Sequence, residues 1–238
     1  MLEGKKVIIF DMDGTLIDSV GVWNDVDRAL IQKIRADGGS DLGDVQQQRD
    51  EALRRFSKEP NPYISYCALL GERYGCAMSP EKIHTLRYEI AQDFLKNVID
   101  YKPDADLFLR KAKAAGYTLV IATTTKRGNM DIYRTQNVNM GAKAKLDELF
   151  SLIYTREDAK EIKPNPEIYL RVLKELKVKP EECLVFEDSL IGIEAAKRAG
   201  IPSAAVYDPY SDGEREQINA LADFQIDSYA QLMEQEDL

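Results

Sequence analysis

Val7-Ile8-Ile9-Phe10-Asp11-Met12-Asp13-Gly14-Thr15-Leu16 is the stretch that decides the fold of this chain. Its first four residues are a continuous apolar run of strand length with no polar alternation. A strand covered on both faces reads this way. The run ends on two acids, and Gly14 then permits a tight turn that a side chain would obstruct. In open parallel sheets, ligands bind beyond the carboxyl ends of the strands, so the two acids sit where chemistry is expected.

Working outward, similar apolar runs recur at 118–122, 149–154, 183–186 and 204–206. Helical patterns with recognisable ends lie between them. The pattern at 105–115 closes on Gly116, a helix stop. Asn165-Pro166-Glu167 reads as an N-cap followed by proline at the first helical position. Ser189 is placed to cap a helix that ends at Gly200. Strands alternating with helices predict an α/β fold, a Rossmann-like parallel sheet with helices on both faces and right-handed crossovers.

Between residues 19 and 98 the alternation stops. Val22, Val26, Ala29 and Leu30 share one helical face, and Ile83, Leu86, Ile90, Phe94 and Val98 share another. Ser79-Pro80-Glu81 opens that last helix, while Gly38-Gly39-Ser40 and Pro60-Asn61-Pro62 punctuate the interior. The expectation is an all-helical insert at 18–98 on an α/β core built from 1–17 and 99–238.

The 238 residues carry 44% hydrophobic and 31% charged side chains, the balance of an ordinary globular protein. A net charge of -9 with no basic face argues against nucleic acid as a partner. Cys67, Cys76 and Cys183 are odd in number and in no metal-ligand spacing, which predicts three reduced thiols. The first residues resemble no signal peptide, and no apolar run reaches membrane-spanning length, so a cytoplasmic monomer without membrane contact is expected.

A carboxylate that attacks a phosphate ester needs a second group nearby to protonate the leaving alkoxide. Asp11 as nucleophile and Asp13 as general acid, then base, meet that need. A bare D-x-D is more often a solvated strand end with turn-forming aspartates; the seven-residue context is far more specific. Asp11 to Ser19, D-M-D-G-T-L-I-D-S, resembles the signature of the haloacid dehalogenase-like phosphatase and phosphotransferase superfamily. The resemblance implies those two roles, with the backbone carbonyl of Asp13 on a magnesium ion.

Three further segments resemble the same family, in its order. Thr123 follows the second strand, where the family places a hydroxyl on a phosphate oxygen, with Thr124 beside it. Lys163, fixed by Pro164, stands at the position of the family's essential lysine. Glu187 and Asp188 end the fourth strand; the resemblance implies that Asp188 ligates Mg²⁺, with Glu187 nearby or acting through water. The metal set implied is thus Asp11, Asp13, Glu187 and Asp188. Each pair of like charges at ~4 Å costs roughly 4 kcal/mol at an effective dielectric near 20, so these acids and a phosphate ester need both a divalent ion and Lys163.

The insert and core spacings resemble the β-phosphoglucomutase and phosphoglycolate phosphatase branch, the insert serving as its cap. Lys126 matches a lysine that some members place near the substrate phosphate. The mutase's Gly-x-Ser-Arg-like grip is missing between 38 and 60, which favours hydrolysis of a small phosphorylated metabolite, such as a sugar phosphate, over phosphomutase activity. A signalling receiver, which also accepts phosphate on Asp, leaves Asp13 and an 80-residue insert unexplained. His84 and Trp23 read as packing residues, Arg49, Arg54 and Arg55 as a solvated face, and Asp18 as a hinge or helix cap.

Overall fold

The computed structural model of the chain describes residues 1–36, 38–56 and 59–236, with the side chains of Asp50 and Arg54 outside that set. The chain divides into two compact units, Met1–Val20 with Ile99–Leu238, and Gly21–Val98.

The first unit is built on six parallel strands: β1 (Val7–Phe10), β2 (Thr118–Ala122), β3 (Leu152–Tyr154), β4 (Cys183–Glu187), β5 (Ser203–Val206) and β6 (Phe224–Ile226). Their order across the sheet is β3-β2-β1-β4-β5-β6. β1 therefore lies at the centre, paired through Phe10 with Ile121 on one side and Phe186 on the other. That order reverses direction at β1, and such a switch point opens a crevice at the strand ends.

The two faces of the sheet are packed differently, because successive strand side chains point to opposite sides. Val7, Ile9, Val120, Val185 and their neighbours form an aliphatic layer with Ile168, Tyr169, Val172, Ala195 and Ala196. On the other face Phe10 contacts the rings of Phe108, Phe150 and Phe186, and Phe108 contacts Tyr229.

The second unit carries four helices among its described residues: α1 (Val22–Ile34), α2 (Val45–Arg55), α3 (Pro62–Arg73) and α4 (Pro80–Asn97). Ser79 Oγ accepts from Lys82 N and Pro80 occupies the first turn, so α4 starts where its sequence signals place it. Ile83, Ile90, Ala91 and Leu95 are its buried apolar face. Val98, read as part of that face, is instead 50% exposed, because the helix ends at Asn97.

The remaining helices belong to the first unit: α5 (Ala105–Ala114), α6 (Arg127–Thr135), α7 (Val138–Lys143), α8 (Leu146–Leu149), α9 (Glu167–Leu176), α10 (Leu190–Arg198), α11 (Arg215–Leu221) and α12 (Tyr229–Glu236). Several sequence expectations are corrected here. The run at 149–154 is not all strand: α8 closes with Phe150 N bonded to Leu146 O at 2.9 Å, and β3 begins only at Leu152. Helix α9 starts at Glu167, one residue late, with Asn165 Oδ1 accepting from Glu167 N at 2.9 Å. Strand β6 and the helices α7 and α8 were not anticipated, being too short to establish a period. No helix among the described residues is long and apolar enough to cross a membrane.

Candidate active site

Asp11 follows directly from β1, its amide bonded to Phe186 O on β4 at 3.0 Å. Because β4 runs one residue further, Glu187 and Asp188 arrive at the same edge of the sheet. Lys163 comes from the turn before α9, and it bridges the two strand ends. Its Nζ donates to Asp11 Oδ1 at 2.6 Å and to Glu187 Oε1 at 2.5 Å. One oxygen each from Asp11, Glu187 and Asp188 lie within 4.8 Å of one another, and all three residues are buried. The structure thus brings together residues separated by up to 177 positions, Asp11 to Asp188.

Supporting groups fix each acid. Thr15 Oγ1 donates to Asp188 Oδ1 at 2.8 Å. Tyr169, fully buried on α9, donates its hydroxyl to Glu187 Oε1 at 3.1 Å, and Lys163 Nζ lies 5.1 Å from the centre of its ring. Ser189 Oγ donates to Glu187 Oε2 at 2.9 Å. Both oxygens of Glu187 are therefore already occupied by donors. Two glycines are sterically required: a Cβ on Gly14, where φ is 77°, would strike the Asp188 carboxylate, and one on Gly192 would overlap Glu187.

Asp13 stands apart from the three-acid group. Ser19 Oγ donates to its Oδ1 at 2.6 Å and Thr125 Oγ1 to its Oδ2. Thr123 is fully buried, with its hydroxyl 3.0 Å from that of Thr125. The exposed Thr124 is the threonine that lines the cleft of about 260 Å³ over the acids, together with Asp11, Asp13, Lys163 and Asp188. Thr15, Ser19, Thr125 and Tyr169 were not singled out from the sequence. Thr15 and Ser19 lay inside the quoted signature and Thr125 inside the threonine triplet, but nothing in sequence tells which hydroxyl turns to which acid. Lys126 is exposed and immediately precedes α6. Asp18 caps no helix; its amide bonds to Asp100 O at 3.1 Å, and α1 starts from Gly21 without a side-chain cap.

The electrostatics follow from three buried carboxylates sharing one ammonium. Burial pushes Asp11 up to about 7, with Glu187 and Asp13 acting the same way against Lys163. Burial, then Glu187 and Asp11, hold Asp188 well above the usual carboxylate range. Burial alone would lower Lys163, yet Asp11 and Glu187 outweigh it and hold the ammonium well above its ordinary value. A compact divalent cation with hard oxygen preference fits this donor set, since its charge would offset both the burial and the mutual repulsion that raise the two acids.

In the helical unit, Arg49 is not solvent-facing as its charged segment suggested. Its Nη1 donates to Asp27 Oδ2 at 2.8 Å, and the Asp27 side chain is 0% exposed. Arg55 is exposed, His84 half-buried, and Trp23 packs against Arg87 at 5.5 Å. The Arg54 side chain, expected on the same solvated face, lies outside the described residues.

Comparison with known proteins converges on one family. The haloacid dehalogenase-like hydrolase family matches residues 5–200. Protein CbbY of Rhodobacter capsulatus is 29% identical over 213 residues, covering 88% of each chain. The phosphorylated carbohydrates phosphatase of Thermotoga maritima is 29% identical over 196 residues, covering 82% of each. Among solved structures, CbbY of Rhodobacter sphaeroides in complex with phosphate superposes with a TM-score of 0.66 at 26% identity, covering 96% of both chains. The chain is an enzyme of the haloacid dehalogenase-like hydrolase family.

Proposed function

We propose that this enzyme is a magnesium-dependent phosphatase of a small phosphorylated metabolite, working through an aspartyl-phosphate on Asp11. The observation that carries the reading is the position of Lys163, buried between Asp11 and Glu187 beside Asp188, at the base of an open cleft. A lone ammonium among three buried acids makes a site that accepts further positive charge and, with it, a phosphoryl group.

In this reading an Asp11 carboxylate oxygen attacks phosphorus and the phosphorus–oxygen ester bond breaks. Asp13 gives its proton to the departing alkoxide. Asp13 then takes a proton from water as that water attacks phosphorus, which releases inorganic phosphate and restores the Asp11 carboxylate. Ser19 and Thr125 hold the Asp13 carboxyl throughout. Thr123, Thr124 and Lys163 bind phosphoryl oxygens. Glu187, saturated with donors, orients Lys163. Asp11, Asp188 and the Asp13 carbonyl would hold Mg²⁺, which when bound supplies charge neutralisation for the acids and the phosphoryl group. The helical unit, inserted in the chain between the acid pair and Thr123, is the counterpart of the family's cap. The similarity to a phosphorylated carbohydrates phosphatase and to a phosphate complex of CbbY supports a sugar phosphate as the substrate class.

A panel of sugar phosphates, assayed with and without EDTA for released phosphate and for isomerised product, tests the proposal. Phosphate release that chelation silences is the expected result. Isomerisation without net release would assign a phosphomutase, and release that survives full chelation would exclude the magnesium mechanism.

A further inference from the structure

We propose that Lys102 and Asp208 are positioning residues that hold Tyr210 and Ser211 over the acid cluster. The inference rests on the reading of the site given above and adds a layer of control behind it. Asp208 follows β5 and its side chain is 1% exposed. Its two oxygens face in different directions. Oδ2 accepts from Lys102 Nζ at 2.7 Å, and Oδ1 accepts from Tyr210 N at 2.9 Å. Its backbone oxygen accepts from Ser211 N at 3.1 Å and from Arg215 Nη2 at 2.9 Å. Asp208 therefore shapes the turn through its carboxylate and its backbone oxygen together, and that turn reaches the site: Ser211 Oγ donates to Asp188 Oδ2 at 3.4 Å, while Tyr210 and Ser211 line the cleft.

The lysine is equally fixed at its own end. Lys102 N donates to Leu16 O at 2.8 Å, and Tyr101 pairs with Ile17 in an antiparallel bridge. Leu16 and Ile17 close the turn that begins with Asp11 and Asp13, so Lys102 stands on the segment that fixes that turn. A continuous path runs from the turn after the acid pair, through Lys102 and Asp208, to Ser211 and Asp188. Removing the ammonium leaves Asp208 buried and unpaired, a costly state that the chain escapes by turning the carboxylate toward water. That movement frees Tyr210 N and lets Ser211 leave Asp188.

The test uses the full chain as wild type, Lys102→Met, Lys102→Arg, Ser211→Ala and the Lys102→Met/Ser211→Ala double variant. Hydrogen exchange is read over 207–214, Mg²⁺ affinity by calorimetric titration, and turnover with p-nitrophenyl phosphate. Lys102→Met should speed exchange over 207–214 by about tenfold or more, since it lowers the cost of local opening. It should weaken Mg²⁺ binding by up to about tenfold, and Lys102→Arg should restore both. Ser211→Ala should weaken Mg²⁺ binding alone, and the double variant should bind no more weakly than Lys102→Met. Unchanged exchange over 207–214 in Lys102→Met, or independent additive losses in the double variant, would overturn the proposal. Should Lys102→Met not fold, Asp208→Asn, which keeps the shape and removes the charge, is read in the same way. A wild type that hydrolyses no phosphate ester sinks the proposed function alone, because the exchange comparison still decides the positioning claim.

Discussion

Two buried charge clusters occupy this chain, one in each unit, and they are balanced in opposite ways. In the helical unit, Asp27 Oδ1 accepts from Arg87 Nε at 2.7 Å and Oδ2 from Arg49 Nη1 at 2.8 Å. Arg49 Nη2 reaches Asn24 Oδ1 at 3.0 Å, and the Arg87 guanidinium lies over the rings of Trp23 and Tyr63. Each oxygen of the acid is answered by a cation, and one of the two cations, Arg87, rests on aromatic faces. At the ends of β1 and β4 the ratio is reversed, with three carboxylates and one ammonium. The first cluster is complete as it stands. The second carries more acid than cation, and a buried cluster unbalanced in that way is where function is expected.

The largest effect should come from the proposed nucleophile. Asp11→Asn should lower turnover by about 10³-fold or more while the fold persists. Retained turnover in that variant would remove Asp11 from its role. The thermal comparison between the clusters comes next. Asp27→Asn leaves the buried Arg87 and the half-buried Arg49 without that acid and should cost about 3–5 kcal/mol of stability. Asp188→Asn removes a repulsive charge and should leave the metal-free protein as stable as the wild type or more so. A calorimetric scan of both variants in EDTA checks this, and equal destabilisation by the two would erase the distinction drawn between the clusters.

The thiols give the smallest effect. Burial pushes Cys67 up to about 12 and Cys183 up to about 11, from an ordinary value of 9.0. In the unfolded chain both ionise near the ordinary value, so their contribution to stability is intact below it and is lost as pH climbs toward 11 and 12. At pH near 8 a thiol reagent should therefore modify only Cys76 in the folded protein, with mass spectrometry counting one adduct per chain. Rapid loss of Cys67 or Cys183 would show that the packing around them is open.

Much of this organisation is legible in the sequence, for identifiable reasons. Buried parallel strands declare themselves as uninterrupted apolar runs, and Val7–Phe10 and Thr118–Ala122 are strands in the structure. The acids are legible because each stands at the end of such a run, and Lys163 because its place before a helix start matches the lysine that the family resemblance implies. What stayed hidden depends on how side chains turn. Thr123, Thr124 and Thr125 are alike in sequence, yet Thr124 faces the cleft while Thr125 holds Asp13. Arg49 sits in a run of polar residues, and only the partner Asp27, 22 positions away, shows that it is paired rather than solvated. Phe224–Ile226 is three residues long and carries no period of its own; its pairing with β5 makes it a strand.

The most direct test of the central claim is to trap the covalent intermediate. p-Nitrophenyl phosphate releases a leaving group that needs no proton, so Asp13→Asn should still permit attack by Asp11 while the hydrolytic step, deprived of its base, stalls. Mixing that variant with the ester and Mg²⁺, quenching in acid and mapping the peptides should reveal a phosphoryl group on the peptide containing Asp11, with a matching burst of nitrophenolate. A burst or steady release of nitrophenolate with no phosphoryl group on that peptide would contradict the account.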